Sequence, residues 1–135
     1  RVACHPVRLL ADCETHIQLP QPLITPASML PEDVKASLSG KKTLDFGLKV
    51  EPEVFEFGQY YCSVPNSLVI AYALAIVTSG HAERVLMSGF DGYGADDPRS
   101  QEMQNLLSLY QSSPEAVPLV AVTPTRYSLP AQYAL

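Results

Sequence analysis

The pattern of apolar and polar positions changes period several times along the chain, and each change marks an element. Val2 to Cys4 reads as the end of a short strand, stopped by Pro6. Val7 to Leu19 reads as one helix with Val7, Leu10, Ala11 and Ile17 on its apolar side, punctuated by Pro20 and Pro22. Leu23 to Thr25 is a short buried strand. Pro31-Glu32-Asp33 opens a helix: proline suits the first helical position, and carboxylates suit the positive end of the helix dipole. Gly40 closes it. From Thr43 to Val50 the period becomes two, with Leu44, Phe46, Leu48 and Val50 on one face and Thr43, Asp45, Gly47 and Lys49 on the other. That alternation predicts a half-exposed strand near a sheet edge.

Glu51 to Pro65 reads as a long aromatic loop carrying Phe55, Phe57, Tyr60 and Tyr61. A loop of that length with no structure of its own points to a function, and its apolar residues offer a homodimer contact. Asn66 or Ser67 caps a helix that begins LVIAYALAIV, apolar all round and therefore buried on most sides. Arg84 to Ser88 is predicted as the central strand. Asp97 then serves as an N-cap with Pro98 at the first helical position, and Met103, Leu106, Leu107 and Tyr110 form one apolar face behind them. Pro118 to Thr123 is the last strand, running into TPTRY. Strands alternating with helices predict βαβ units, hence an α/β fold: a three-layer Rossmann-like domain with a mostly parallel sheet of about five strands.

Composition narrows the function. A length of 135 residues suits a single domain, 1–135, able to bury a core without metal or disulfide staples. The first residue is Arg1 rather than Met, which reads as a C-terminal piece of a longer chain with an upstream domain as partner. The net charge is −5 and no cluster of Lys or Arg occurs, so nucleic acid is not an expected partner. The longest apolar run, Leu68 to Val77, is ten residues, too short to span a membrane. Cys4, Cys13 and Cys62 are an odd number of cysteines, which argues for free thiols and a cytoplasmic location.

The chemistry concentrates in VLMSGFDGYGADDPRSQEM, residues 85–103. Open parallel sheets bind ligands beyond the carboxyl ends of their strands, and this stretch lies at such an end. Gly89, Gly92 and Gly94 allow positive φ and a close approach of backbone to ligand. Asp91 can accept from a hydroxyl or amine, and Tyr93 can donate to a phosphate. The competing reading is a plain turn in which Asp91 bonds its own backbone and Tyr93 caps the core. Cys4, His5, Cys13 and His16 include a C-x-x-H, but Cys4 and His5 fall on opposite sides of a strand. Capping and turn chemistry account for Asp97 and Asp91, the carboxylates that with Asp96 would otherwise suggest Mg²⁺. No metal and no cofactor is therefore expected. G-x-G-x-x-G, P-loop, G-x-S-x-G and H-E-x-x-H are all missing, which removes dinucleotide and serine-hydrolase mechanisms.

The order NSLVIAYALAIVTSGHAERVLMSGFDGY followed by SQEMQNLLSLY resembles part of the bacterial sialyltransferases that use CMP-sialic acid. It is also similar to the Rossmann-like domains found behind an aldolase barrel in bacterial carbohydrate-biosynthesis proteins. Those barrels resemble HMG-CoA lyase and 4-hydroxy-2-oxovalerate aldolase. The run from GFDGYGADDPRSQEM to TPTRY resembles this second group more closely. The likeness covers about residues 60–127, and S-G-F-D-G-Y is its specific core. It implies an accessory, ligand-binding domain of an aldolase-type lyase whose carbon–carbon chemistry resides in an upstream barrel. The sialyltransferase likeness implies instead a nucleotide-sugar-dependent glycosyltransferase. Tyr93 then falls on the tyrosine that steadies the departing nucleotide phosphate, and Ser67 with Asn66 on the helix start that contacts the nucleotide. The implied ligand is a nucleotide, a nucleotide-sugar or an acidic metabolite, held by Asn66, Ser67, Gly89, Asp91 and Tyr93. That family's general-base histidine lies downstream of the motif, whereas no histidine follows His81 here; losing a base costs a transfer reaction roughly 10²–10⁴-fold.

Overall fold

In the computed structural model, which describes residues 1–133, the first predicted helix is two short ones, α1 (Pro6–Ala11) and α2 (Cys13–Gln18). Asp12 breaks them apart at φ −102°, ψ 14°, and its carboxylate pairs with Arg8 at 3.2 Å. The break resets the helical phase, so the apolar side expected from the sequence is not the buried one. Leu9 and His16 are buried, while Val7 is 76% exposed and Leu10 and Ile17 also face solvent. Leu9 joins Leu23, Leu30, Val34 and Leu38 in one cluster, each buried side chain contributing about 1.5–3 kcal/mol relative to exposure. Leu23 belongs to β1 (Leu23–Thr25) and Val34 to α3 (Glu32–Ser37). Pro31 is the N-cap of α3 rather than its first residue, and Gly40, at φ 86°, turns the chain out beyond it.

The Thr43–Val50 run is divided only by Phe46 into β2 (Thr43–Asp45) and β3 (Gly47–Val50). Its two halves pair with different neighbours, each with one strand only among the described residues, so each lies at an edge of its sheet as the alternation predicts. β2 runs parallel to β1 with Leu23 opposite Thr43, and β3 runs parallel to β5 (Tyr61–Val64) with Gly47 opposite Tyr61. The apolar face is covered in part. The Tyr72 ring lies 6.1 Å from that of Phe46 and its hydroxyl donates to the Phe46 carbonyl at 2.6 Å, while Leu44 and Val50 stay exposed.

The stretch read as an aromatic loop is a hairpin. β4 (Glu56–Phe57) pairs antiparallel with β5, Glu56 opposite Ser63. Gly58 sits at the bend, where a Cβ would come within 2.5 Å of the Tyr61 ring and 2.8 Å of the Tyr61 carbonyl oxygen, so no larger residue fits without shifting both ring and backbone. The Tyr61 hydroxyl donates to Glu56 Oε1 at 2.7 Å, which raises the pKa of the phenol.

α4 (Val69–Ser79) buries Ala71, Tyr72, Leu74, Ala75 and Thr78. The chain forms two compact units, one ending at Ile76 and one starting at Val77, so the boundary falls inside α4. The second unit holds β6 (Val85–Met87), α5 (Pro98–Gln111) and β7 (Leu119–Ala121). Leu106, Leu107 and Tyr110 are buried as the helical spacing predicts, together with Met87, Leu119 and Ala121. The fold is mixed α/β, with sheets of two, three and two strands that contain parallel and antiparallel pairs. β6 pairs with β7 and with no other strand among the described residues, so the central position expected of it is not seen in the pairing. No helix among the described residues is long and apolar enough to cross a membrane.

Tyr110 is fully buried; its hydroxyl lies 2.6 Å from Thr78 Oγ1 and accepts the Val117 N–H at 3.0 Å. Tyr110→Phe removes that acceptor and is expected to cost about 1–3 kcal/mol. Urea unfolding followed by circular dichroism measures it, with Leu107→Ala, expected at about 2–5 kcal/mol, as the cavity-forming reference.

Candidate functional site

β6 and β7 are parallel, with Val85 opposite Leu119 and Met87 opposite Ala121. Two segments therefore leave the sheet at the same end: the Ser88–Tyr93 turn and the Thr123–Tyr127 strap. Beyond the last rung the ladder no longer serves their amides and carbonyls, so these groups need other partners. The two segments supply them to each other. Thr123 Oγ1 accepts the Gly89 N–H at 2.9 Å, the Thr125 hydroxyl donates to the Phe90 carbonyl, and the Arg126 N–H donates to the Asp91 carbonyl at 3.0 Å. Arg126 Nη1 then donates to the Tyr93 carbonyl at 3.0 Å. Gly89 and Gly92 take φ of 79° and 101°. At Gly92 a Cβ would also lie 3.2 Å from the Arg126 side chain, so backbone conformation and the strap both call for glycine.

Gly89, Asp91 and Tyr93, three of the five residues singled out by sequence, come together around one cavity of about 300 Å³. Phe90, Met103 and Tyr127 complete its wall. The plain-turn reading fails in both its parts. The Asp91 carboxylate makes no hydrogen bond or ion pair among the described residues, and its main-chain carbonyl is taken by the strap. Tyr93 is 38% exposed, and the buried ring is that of Tyr127. Burial is the main cause that raises the Tyr127 pKa, with Tyr93 and Asp97 adding to it.

Arg99 lies over Tyr93, its guanidinium carbon 4.1 Å from the ring centre, a contact that attracts a cation to the ring face. The same guanidinium binds Asp97, with Nη2 to Oδ2 at 2.7 Å and Nε to Oδ1 at 3.1 Å. Asp97 in turn accepts the Arg99 N–H at 2.9 Å, the N-cap bond expected from the D-P-x pattern. These hydrogen bonds hold the Asp97 carboxyl below its ordinary pKa and raise that of Arg99.

Asn66 and Ser67 do not line this cavity. Asn66 Oδ1 accepts the Leu68 N–H at 3.1 Å, a local turn contact, and the Ser67 carbonyl accepts the Cys4 thiol at 3.9 Å. All three cysteines are free thiols. Burial raises the pKa of Cys4 and pushes Cys62 up to about 12, the nearby Cys4 adding to the latter, so neither is a thiolate nucleophile at neutral pH. His81 is exposed at φ 59° in the turn after α4. No group of three or more His, Cys, Asp or Glu side chains among the described residues is placed to hold a metal ion. Sequence reasoning missed Tyr127 and the strap, although TPTRY, with hydroxyls at alternate positions beside an arginine, was their visible signal. No family model, curated protein or solved structure matches the chain.

Two outcomes test this geometry. Gly92→Ala is expected to destabilise the chain by about 1–2 kcal/mol because of its positive φ, whereas Gly94→Ala, with nothing within 4 Å of the added Cβ, is tolerated; parallel thermal melts compare them. The second concerns pH. Asp97 has a lowered folded-state pKa, so its contribution is present above its unfolded value and is lost as pH falls through the folded one. Amide exchange at Arg99 and Ser100 should accelerate selectively below about pH 4, and an Asp97→Asn variant should lose that pH dependence.

Proposed function

We propose that the second unit binds a small hydroxyl-bearing metabolite in the cavity between the Gly89–Tyr93 turn and the Thr123–Tyr127 strap. One observation carries the reading: the exposed Asp91 carboxylate has no partner among the described residues and lines a cavity whose other side chains are aromatic or apolar. An ionised carboxylate only accepts, so the complementary group is a hydroxyl or an amine N–H. The rings and Met103 give flat apolar faces to the ligand's carbon skeleton. No cationic side chain lines the cavity, and the two nearby guanidinium groups are engaged by Asp97 and by the Tyr93 carbonyl. That balance favours a sugar-like ligand over a bare phosphate.

The setting of the proposal comes from resemblance. The chain serves as the accessory domain of an aldolase-type, 4-hydroxy-2-oxovalerate aldolase-like enzyme of bacterial carbohydrate metabolism, with the lyase chemistry in a barrel upstream and the whole in the cytoplasm. Within each unit parallel pairs occur, β1–β2 and β3–β5 in the first and β6–β7 in the second, the pairing that a Rossmann-like domain uses. A second reading, a nucleotide-sugar-dependent glycosyltransferase, draws on the position of Tyr93 in the cavity wall. No imidazole lines that cavity to act as its base.

Calorimetric titration with free hexoses, N-acetylated amino sugars, CMP, UDP and their sugar conjugates separates the two. Under the first reading a free sugar binds, CMP and UDP alone do not, and Asp91→Asn weakens binding about tenfold or more, the loss expected for a hydrogen bond to a charged group. Nucleotide binding that disappears in Tyr93→Phe would favour the transferase. If none of these ligands binds, both readings fall.

A further inference from the structure

We propose a further binding site within the first unit, a cavity of about 450 Å³ walled by Arg1, His5, Arg8 and His16 beside the apolar Leu68 and Val69, that takes a small organic anion. The recognised group is an oxyanion, carried as a carboxylate or a phosphate on a compact apolar body.

The charges in this wall are unequally engaged. Arg8 is paired with Asp12 at 3.2 Å, and Asp12 is the one carboxylate lining the cavity. The Arg1 guanidinium has no ion pair among the described residues. His16 is 6% exposed, and its Nδ1 is buried without a hydrogen-bond partner among the described residues. Buried polar atoms are nearly always satisfied, so an imidazole nitrogen without a partner among the described residues, in the wall that also holds the Arg1 guanidinium, points to a polar ligand group; the Nδ1–H tautomer of His16 donates to an oxyanion. Burial first, then Arg1, with Lys41 in the same sense and Asp12 opposing, lowers the His16 pKa. Arg1 and Lys41 thus place positive charge near the imidazole, which an incoming anion would neutralise. A guanidinium fork holds a carboxylate or phosphate with two parallel hydrogen bonds, and Leu68 and Val69 give the anion's carbon chain an apolar wall. The Cys4 thiol also lines the cavity but donates to the Ser67 carbonyl and is kept neutral by burial, so it supplies a wall rather than a nucleophile.

The test is calorimetry and NMR of the whole chain titrated with butyrate and with inorganic phosphate. Arg1→Gln is compared with Lys49→Gln, which removes an exposed cation outside the cavity. Arg1 is itself exposed, so its replacement should leave the fold intact. Saturable binding is expected, with the His16 ring resonances moving during the titration. Arg1→Gln should weaken it about tenfold or more and Lys49→Gln should not. Tighter binding of butyrate would assign a carboxylate on an apolar chain, and tighter binding of phosphate a phosphoryl group. The proposal is overturned if neither anion binds saturably, if binding survives Arg1→Gln unchanged, or if the His16 resonances stay still.

Discussion

What orders the second unit is the need of the backbone beyond β6 and β7 for hydrogen-bond partners. A strand that ends leaves amides and carbonyls without a ladder, and leaving them unpaired when buried costs as much as a lost hydrogen bond. The chain meets this by laying the Thr123–Tyr127 strap against the Gly89–Tyr93 turn, main chain to hydroxyl and main chain to main chain. Because strap hydroxyls and the Arg126 amide serve the turn's backbone, the Asp91 carboxylate is not drawn into capping it. Left-handed conformations at Gly89 and Gly92 let the turn follow that path. A carboxylate without a partner among the described residues thus follows from how the backbone is satisfied, and the cavity lies between the turn, Tyr127 of the strap and Met103 of α5.

The same accounting explains which parts of the fold could be read from sequence. α5 was legible because its signals are local: Asp97 and Pro98 at its start, then Leu106, Leu107 and Tyr110 at helical spacing. β1 and β7 were legible as apolar runs. The break at Asp12 was not, because an aspartate marks a helix start only weakly without a proline or glycine beside it, and here its carboxylate pairs with Arg8 instead of capping α2. The single phase assumed across it placed Val7 and Ile17 inside and Leu9 outside the apolar face, the reverse of what is found. β4 has two residues, too few for alternation to show, so the hairpin read as a loop. The Thr43–Val50 run was legible as a half-exposed edge, and each half does end its sheet. Its division at Phe46 was not legible, because the two partners lie far along the chain, at Leu23 and Tyr61.

The candidate site was legible in its glycines, Asp91 and Tyr93, which are contiguous and chemically unusual for a strand end. The strap was not, because its role depends on contacts more than thirty residues away, as between Gly89 and Thr123. Asn66 was identified as a helix cap and a ligand contact, and its side chain instead accepts the Leu68 N–H in the turn just before α4. A residue type suited to phosphate is equally suited to such a turn, and sequence alone does not separate the two uses.

The chemistry of each cavity follows from which charges the protein has already engaged. Arg99 is held by Asp97 and lies on Tyr93, Arg126 binds a backbone carbonyl, and Arg8 is paired with Asp12. Each of these cations is oriented by a protein acceptor and so is less available to an outside anion. What remains unengaged differs between the two units. In the second it is a carboxylate, Asp91, among aromatic walls; in the first it is a guanidinium, Arg1, beside an imidazole with an unmet nitrogen. A leftover acceptor selects donors, and a leftover cation selects oxyanions. The net charge of −5 obscures this distinction, since affinity for a small ligand is set by the charges left without partners and not by their sum.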